Sequence, residues 1–163
     1  MWGALPRALI GALLSAGMVA GLVAGCSAST PATESGVVSH IVDGDTIDVD
    51  GVGRIRVIGI DTPERGACGY ESATLAMAAL VDGRTVALIP GATDDADRYG
   101  RLLRYVDVGS SDPESTDAGL ALIRDGWAIA RYDSRDGYDR HPRQDVYVAA
   151  DEQSTDLGCY DED

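Results

Sequence analysis

A chain of 163 residues with 27 acidic and 13 basic side chains, a formal net charge of −14, has room for one ordinary domain. So acidic a composition argues against capture of a polyanion by long-range attraction, and any grip on phosphate has to come from local arrangement. Every basic residue is arginine and none is lysine, which favours flat, two-pronged recognition of carboxylate or phosphate.

Residues 1–25 read as an export signal: one early positive charge at Arg7, an uncharged Ala/Gly/Leu-rich run from Ala8 to Ala24, and small residues before Cys26. The end of this run, "LVAGC", resembles the lipobox of bacterial lipoproteins. That resemblance implies that Cys26 becomes the lipid-modified first residue of a mature chain, anchored to the outer face of the cell membrane or secreted. An uncleaved anchor is the alternative, although about 17 apolar residues lie at the lower limit for a span. Residues 26–36, with "SASTPATESG", are small, polar and proline-bearing and predict a flexible tether, leaving 37–163 as the folded domain. If Cys26 carries lipid, Cys68 and Cys159 remain as an even pair in an oxidising compartment. A bridge across so long a loop constrains the unfolded chain by about 4 to 5 kcal/mol; two buried thiols are the other reading.

The domain opens with short strands. "VVSHIV" is β-rich, "DGD" at 43–45 is a turn, "TIDVD" alternates, Asp50-Gly51 is a hairpin signal, and "RIRVIGI" is a third strand, so a three-stranded meander is expected. Ala73, Met77 and Leu80 then recur at helical spacing from Tyr70 to Val81, and Asp82-Gly83 supplies a stop. "RTVALIPG" and "RLLRYVDV" read as two more strands around the acidic loop "ATDDADRYG". A second helix is predicted from about Asp117 to Asp125, ended by Gly126. A third begins near Pro142, with Val146, Ala149, Ala150 and Gln153 at helical spacing. Few, short antiparallel strands with outer helices predict an α+β fold, a five-stranded OB-type β-barrel with three helices.

Three motifs carry the candidate chemistry, and each alone is an ordinary turn or loop. Together they are complementary. Asp45 and Asp61 are hard oxygen donors at strand ends, suited to calcium, and the Thr62 carbonyl before Pro63 offers a third ligand. Glu64, three residues beyond Asp61, is placed to orient or deprotonate a water beside that cation. Arg56 and Arg101 offer guanidinium forks to the non-bridging oxygens of a phosphodiester. The charges at the two ends of "RVIGIDTPE" are therefore expected to meet a cation and a phosphate and not each other. Arg56 and Asp61 have odd spacing, which sends side chains to opposite faces of a straight strand, so an irregularity is predicted at Gly59.

"DGDT", "RVIGIDTPE" and "DRYGR", in this order and spacing, resemble the staphylococcal nuclease (thermonuclease) family over about Val37 to Tyr160. The resemblance implies calcium-dependent, endonuclease-type hydrolysis of DNA and RNA phosphodiesters on an OB barrel, leaving 3′-phosphate and 5′-hydroxyl ends. By position it assigns Asp45, Asp61 and Thr62 to Ca2+, Arg56 and Arg101 to phosphate, and Glu64 to the general base. Arg98, Tyr99 and Tyr132 fall at substrate-binding positions, the two tyrosines in a nucleotide pocket. The chain departs from the family at Arg98, where the best-known member has lysine, and after "DTPE", where the basic loop of some members is short and nearly uncharged. It departs again at "GCY", residues 158–160, where a tryptophan is missing and a Cys68–Cys159 bridge would take over the pinning of the last helix. Two other readings remain: a non-catalytic OB-fold nucleic-acid-binding lipoprotein, and a phosphodiesterase for a small phosphate ester. A monomer is expected.

Overall fold

A computed structural model describes residues 34–109 and 115–155. The predicted signal, Cys26 and Cys159 lie outside them, as does most of the predicted tether. Its last residues do not: strand β1, Glu34–Ile41, begins three residues before the expected domain start, with Glu34, Ser35 and Gly36 opposite Leu88, Ala87 and Val86. Gly36 is needed there, because a Cβ would sit 2.5 Å from Val49 Cγ1.

The expected meander is present as β1, β2 (Thr46–Val49) and β3 (Gly53–Val57), joined at Asp50-Gly51. Strands β5 (Thr85–Pro90) and β6 (Leu102–Val108) pair with each other, and β5 with β1. The sheet runs β3-β2-β1-β5-β6 and closes when β6 pairs in parallel with β3, Ile55 opposite Leu102 and Val57 opposite Arg104. This is a five-stranded mixed barrel of the OB type with three helices, as predicted, and closure leaves no free edge among these five strands. Its interior is aliphatic: Ile47, Ile55, Val57, Val86, Leu88 and Val106 are fully buried.

"RIRVIGI" is not one strand. The chain turns at Ile58-Gly59, with Gly59 at φ 76°, and Ile60–Asp61 becomes β4, paired antiparallel with β8 (Ile129–Ala130) in a separate two-stranded sheet. The predicted irregularity at Gly59 is this turn. It requires glycine twice over, for the positive φ and because a Cβ would lie 2.6 Å from the His141 ring.

Helix α1 spans Tyr70–Val81 as expected and buries Ala73, Met77 and Val81, one face at four-residue spacing. After β7 (Thr116–Asp117), α2 (Ala118–Arg124) starts on Asp117, whose carboxylate accepts from Leu120 N. Helix α3 (Gln144–Asp151) buries Gln144 and Tyr147, while Val146 of the predicted stripe stays half exposed. The face is set by polar satisfaction and not by apolarity. The Tyr147 hydroxyl donates to Asp117 at 2.9 Å, and Arg143 forks onto Asp107 at 2.6 and 2.8 Å while reaching Asp117 at 2.7 Å. These bonds tie α3, and the loop before it, to the barrel wall.

Candidate active site

The Gly59 turn folds Asp61 back toward the strand that carries Arg56, and the β2–β3 register sets Thr46 opposite Arg56, so Asp45 arrives beside it. Arg56 Nη2 lies 3.0 Å from Asp45 Oδ2 and 3.4 Å from Asp61 Oδ1. The charges at the two ends of the segment, expected to converge on a cation and a phosphate and not on each other, do converge, and the guanidinium bridges both carboxylates. The physical reason is burial. Arg56 and Asp45 side chains are each only 10% exposed, and buried charges must be paired.

Hydroxyls complete the cluster. Thr46 Oγ1 donates to Asp45 Oδ1 at 2.9 Å, and Thr62 Oγ1 donates to Asp45 Oδ2 at 3.2 Å. Thr62 joins the cluster through its hydroxyl and through its N–H, which bonds Asp61; its carbonyl, anticipated as a calcium ligand, is a separate group that these bonds leave uncommitted. Gly44 lets Thr62 approach: a Cβ at position 44 would be 2.9 Å from Thr62 Oγ1.

Arg101 enters from the turn "DRYGR". The Asp97 carboxylate accepts the N–H groups of Tyr99 and Arg101 at 2.9 and 3.0 Å and the Arg101 Nε at 2.6 Å, with Gly100 at φ 80° closing the turn. So held, Arg101 Nη1 reaches Thr46 Oγ1 at 3.4 Å, which links the second arginine to Asp45 through one hydroxyl. Tyr99 is exposed, with the guanidinium groups of Arg98 and Arg101 stacked 4.7 and 5.4 Å from its ring centroid. Opposite, Tyr132 donates to Asp61 Oδ1 at 3.2 Å while Arg56 stacks 5.3 Å over its ring. Seven of the nine predicted site residues that are not cysteines thus form one linked set: Asp45, Arg56, Asp61, Thr62, Arg101, Tyr99 and Tyr132. Arg98 joins through Tyr99. Glu64 is the exception: it is exposed, and its side chain has no hydrogen-bond or ion-pair partner among the described residues. Cys68 is not a free thiol, and Cys26 and Cys159 lie outside the described residues.

Two contributors escaped the sequence reading, Thr46 and Asp97. Both stand inside the quoted motifs, and Asp97 three residues before Gly100 carries the signature of a turn that aims Arg101.

The electrostatics are set by desolvation. Burial, reinforced by repulsion from Asp43 and Asp61, pushes the Asp45 carboxyl up to about 6 despite Arg56 and the Thr46 hydroxyl. A contact of 3.0 Å to Arg56 would by itself lower this value; burial wins because attraction in a buried pair does not offset the full cost of leaving water. Asp61 is raised for the same reason, and burial followed by the Asp61 charge raises the Tyr132 hydroxyl. Two carboxylates that share one guanidinium have unspent negative charge. As hard oxygen donors converging on a single nitrogen position they suit a calcium ion with water completing its shell. No cluster of three or more acidic, histidine or cysteine side chains with metal-holding geometry occurs among the described residues.

The family described as "Staphylococcal nuclease homologue" matches residues 54–155. Among curated proteins, the chain is 36% identical over 102 residues to "Protein ParB" of Escherichia coli, covering 58% of this chain and 56% of that one. It is 33% identical over 104 residues to an "Uncharacterized endonuclease" of Escherichia coli O157:H7, covering 61% and 63%. An uncharacterized protein of Bacillus anthracis is 38% identical over 84 residues, covering 45% and 39%. The chain therefore spans less than two thirds of the length of each of these relatives.

Proposed function

The chain belongs to the staphylococcal nuclease family, and on that premise we propose that it is a calcium-dependent nuclease, hydrolysing DNA or RNA phosphodiesters to 3′-phosphate and 5′-hydroxyl ends. The observation that carries this reading is the joint placement of Arg56 against the buried Asp45 and the half-buried Asp61, with Arg101 linked to the same cluster through the Thr46 hydroxyl. The name of an endonuclease among the relatives is consistent with it.

Asp45 and Asp61 would hold calcium, which supplies a positive charge beside the phosphate and polarises a bound water. Held by Val57 O at 2.6 Å and by the carboxylates, Arg56 cannot swing freely and needs only a short shift to present its fork to a non-bridging oxygen. Arg101, aimed by Asp97, approaches the same phosphate from the other side, where charge grows as water adds. Glu64, exposed three residues beyond Asp61, accepts a proton from the water as its oxygen bonds to phosphorus; the bond to the 5′-oxygen breaks, and that oxygen takes a proton from solvent to leave as the hydroxyl. Tyr99 and Tyr132 offer π-faces to bases of any sequence. The export signal and Cys26 support a lipid-anchored or secreted protein acting on nucleic acid outside the cell. A Cys68–Cys159 bridge would fasten the chain end in that oxidising compartment.

The acidic composition favours one second reading, a phosphodiesterase for a small ester, since a long polyanion is repelled by net charge −14. Digesting single-stranded DNA, RNA and a small diester in parallel, with calcium and with chelator, tests both. Cleavage of polymer that chelator abolishes is expected. Cleavage of the small diester alone selects the second reading, and rates indifferent to chelator overturn the calcium assignment.

A further inference from the structure

We infer that Tyr138 is a second base-stacking platform, one ring beyond Tyr132, which extends the site along an unpaired nucleic-acid strand; the inference rests on the nuclease reading for its ligand class. Tyr138 is 58% exposed, and its ring meets Tyr132 edge-on, centroids 5.6 Å apart at 89°. Tyr132 in turn carries Arg56 over its face and donates to Asp61. The aromatic surface is therefore continuous with the candidate reacting groups.

What makes Tyr138 more than a stray exposed ring is the loop that presents it. Tyr132 is the only non-glycine residue with positive φ among the described residues, at 59°. That strain is over-determined by its surroundings: Asp136 Oδ2 accepts Tyr132 N at 2.7 Å, and Asp133, 1% exposed, takes the Arg135 fork with Nη2 at 2.7 Å. Tyr138 N donates to Asp133 O at 3.1 Å. Gln144 of α3 holds Ser134 through both amide atoms, and Thr93 Oγ1 donates to Asp139 Oδ2 at 2.6 Å, tying the loop to the segment after β5. A loop bonded this thoroughly loses little entropy on binding, yet it leaves the Tyr138 ring in water. Two edge-to-face rings present differently oriented π-surfaces, so successive bases must splay, which a strand already unpaired does at least cost. A duplex keeps its bases stacked and out of reach of both rings.

The test uses the full chain, a labelled thymidine oligomer of about ten nucleotides and a dinucleotide. Affinity is read by fluorescence anisotropy with calcium chelated, and turnover with calcium present. Tyr138→Ala should weaken the oligomer about tenfold and raise its KM by a similar factor at unchanged kcat, leave the dinucleotide unaffected, and be rescued by Tyr138→Phe. An abasic spacer scanned through the oligomer should cost the native protein about tenfold at one position and cost Tyr138→Ala nothing there. Equal oligomer affinity for Tyr138→Ala and native protein overturns the inference. So does an equal fall in dinucleotide kcat, which would make Tyr138 only a buttress for Tyr132. Tyr138-dependent binding without cleavage removes the nuclease reading and leaves this inference standing, whereas cleavage insensitive to Tyr138 removes the inference alone. Failure of the native protein to bind any single strand removes both.

Discussion

Asp45→Asn isolates the energetic cost of the site. The Asp45 carboxyl is raised from 3.8 to about 6 by burial, net of its contact with Arg56. At about 1.36 kcal/mol per unit, ionising it in the fold costs about 3 kcal/mol relative to the unfolded chain. The sign follows from proton uptake. Between 3.8 and about 6 the folded state binds more protons, so this group's contribution to stability is complete below 3.8 and is lost as pH rises through about 6. Asparagine matches the neutral carboxyl in shape: with its oxygen in the Oδ2 position it still accepts from the Thr62 hydroxyl and faces Arg56, while its Nδ2–H donates to the Thr46 hydroxyl oxygen in place of Oδ1. With calcium chelated, Asp45→Asn should therefore raise unfolding free energy by about 2 to 3 kcal/mol at pH 8 and by almost nothing at pH 4. Urea denaturation of both proteins at the two pH values reads this directly. With calcium added the gain should shrink, because bound ligand stabilises only the native carboxylate pair. A loss of stability at pH 8 would refute the reasoning, since it would mean that the Asp45–Arg56 pair more than offsets its own desolvation; so would an equal gain at pH 4.

The converse substitution, Arg56→Ala, leaves the buried Asp45 and the half-buried Asp61 without their shared cation and should cost about 3 to 5 kcal/mol at pH 8. Much of that should return as pH falls and the raised Asp45 carboxyl takes up its proton, a trend visible in thermal melts. Arg101→Ala should lower kcat about 10² to 10³-fold while changing stability by less than about 1 kcal/mol, because its partly exposed pair with Asp97 is a weak stabiliser; Arg101→Lys should restore little, having no fork. Gly59→Ala forces a side chain into a positive-φ turn, 2.6 Å from the His141 ring, and should cost roughly 2 to 4 kcal/mol. Its residual activity should fall as well, because this turn sets Asp61 against Arg56.

Several elements were legible because their signals are local. Helix α1 was read to the residue from Ala73, Met77 and the Asp82-Gly83 stop. The meander followed from alternation and from turn residues at 43–45 and 50–51, and the break at Gly59 followed from odd spacing between two charges that chemistry wanted together. Turn chemistry and side-chain period act over a handful of residues, so they survive in the order of letters. The face of α3 was not legible, since Tyr147 is buried by a hydroxyl's bond to Asp117, thirty positions away in the chain, and a bare count of apolar residues favours Val146.

For the site, the residue types and motif order announced which groups could do phosphate and cation chemistry, and that much the amino-acid order determined alone. Only tertiary structure decided that Arg56 bridges Asp45 and Asp61, that Thr46 hooks Arg101 onto the same cluster, and that Tyr138 stands next to Tyr132. For the carboxylate cluster these relations exist because the Gly59 turn folds Asp61 back to Arg56, because the β2–β3 register sets Asp45 beside it, and because the packed chain buries Asp45. Partnership and desolvation depend on what the rest of the chain places around a side chain, and no spacing along the backbone encodes that.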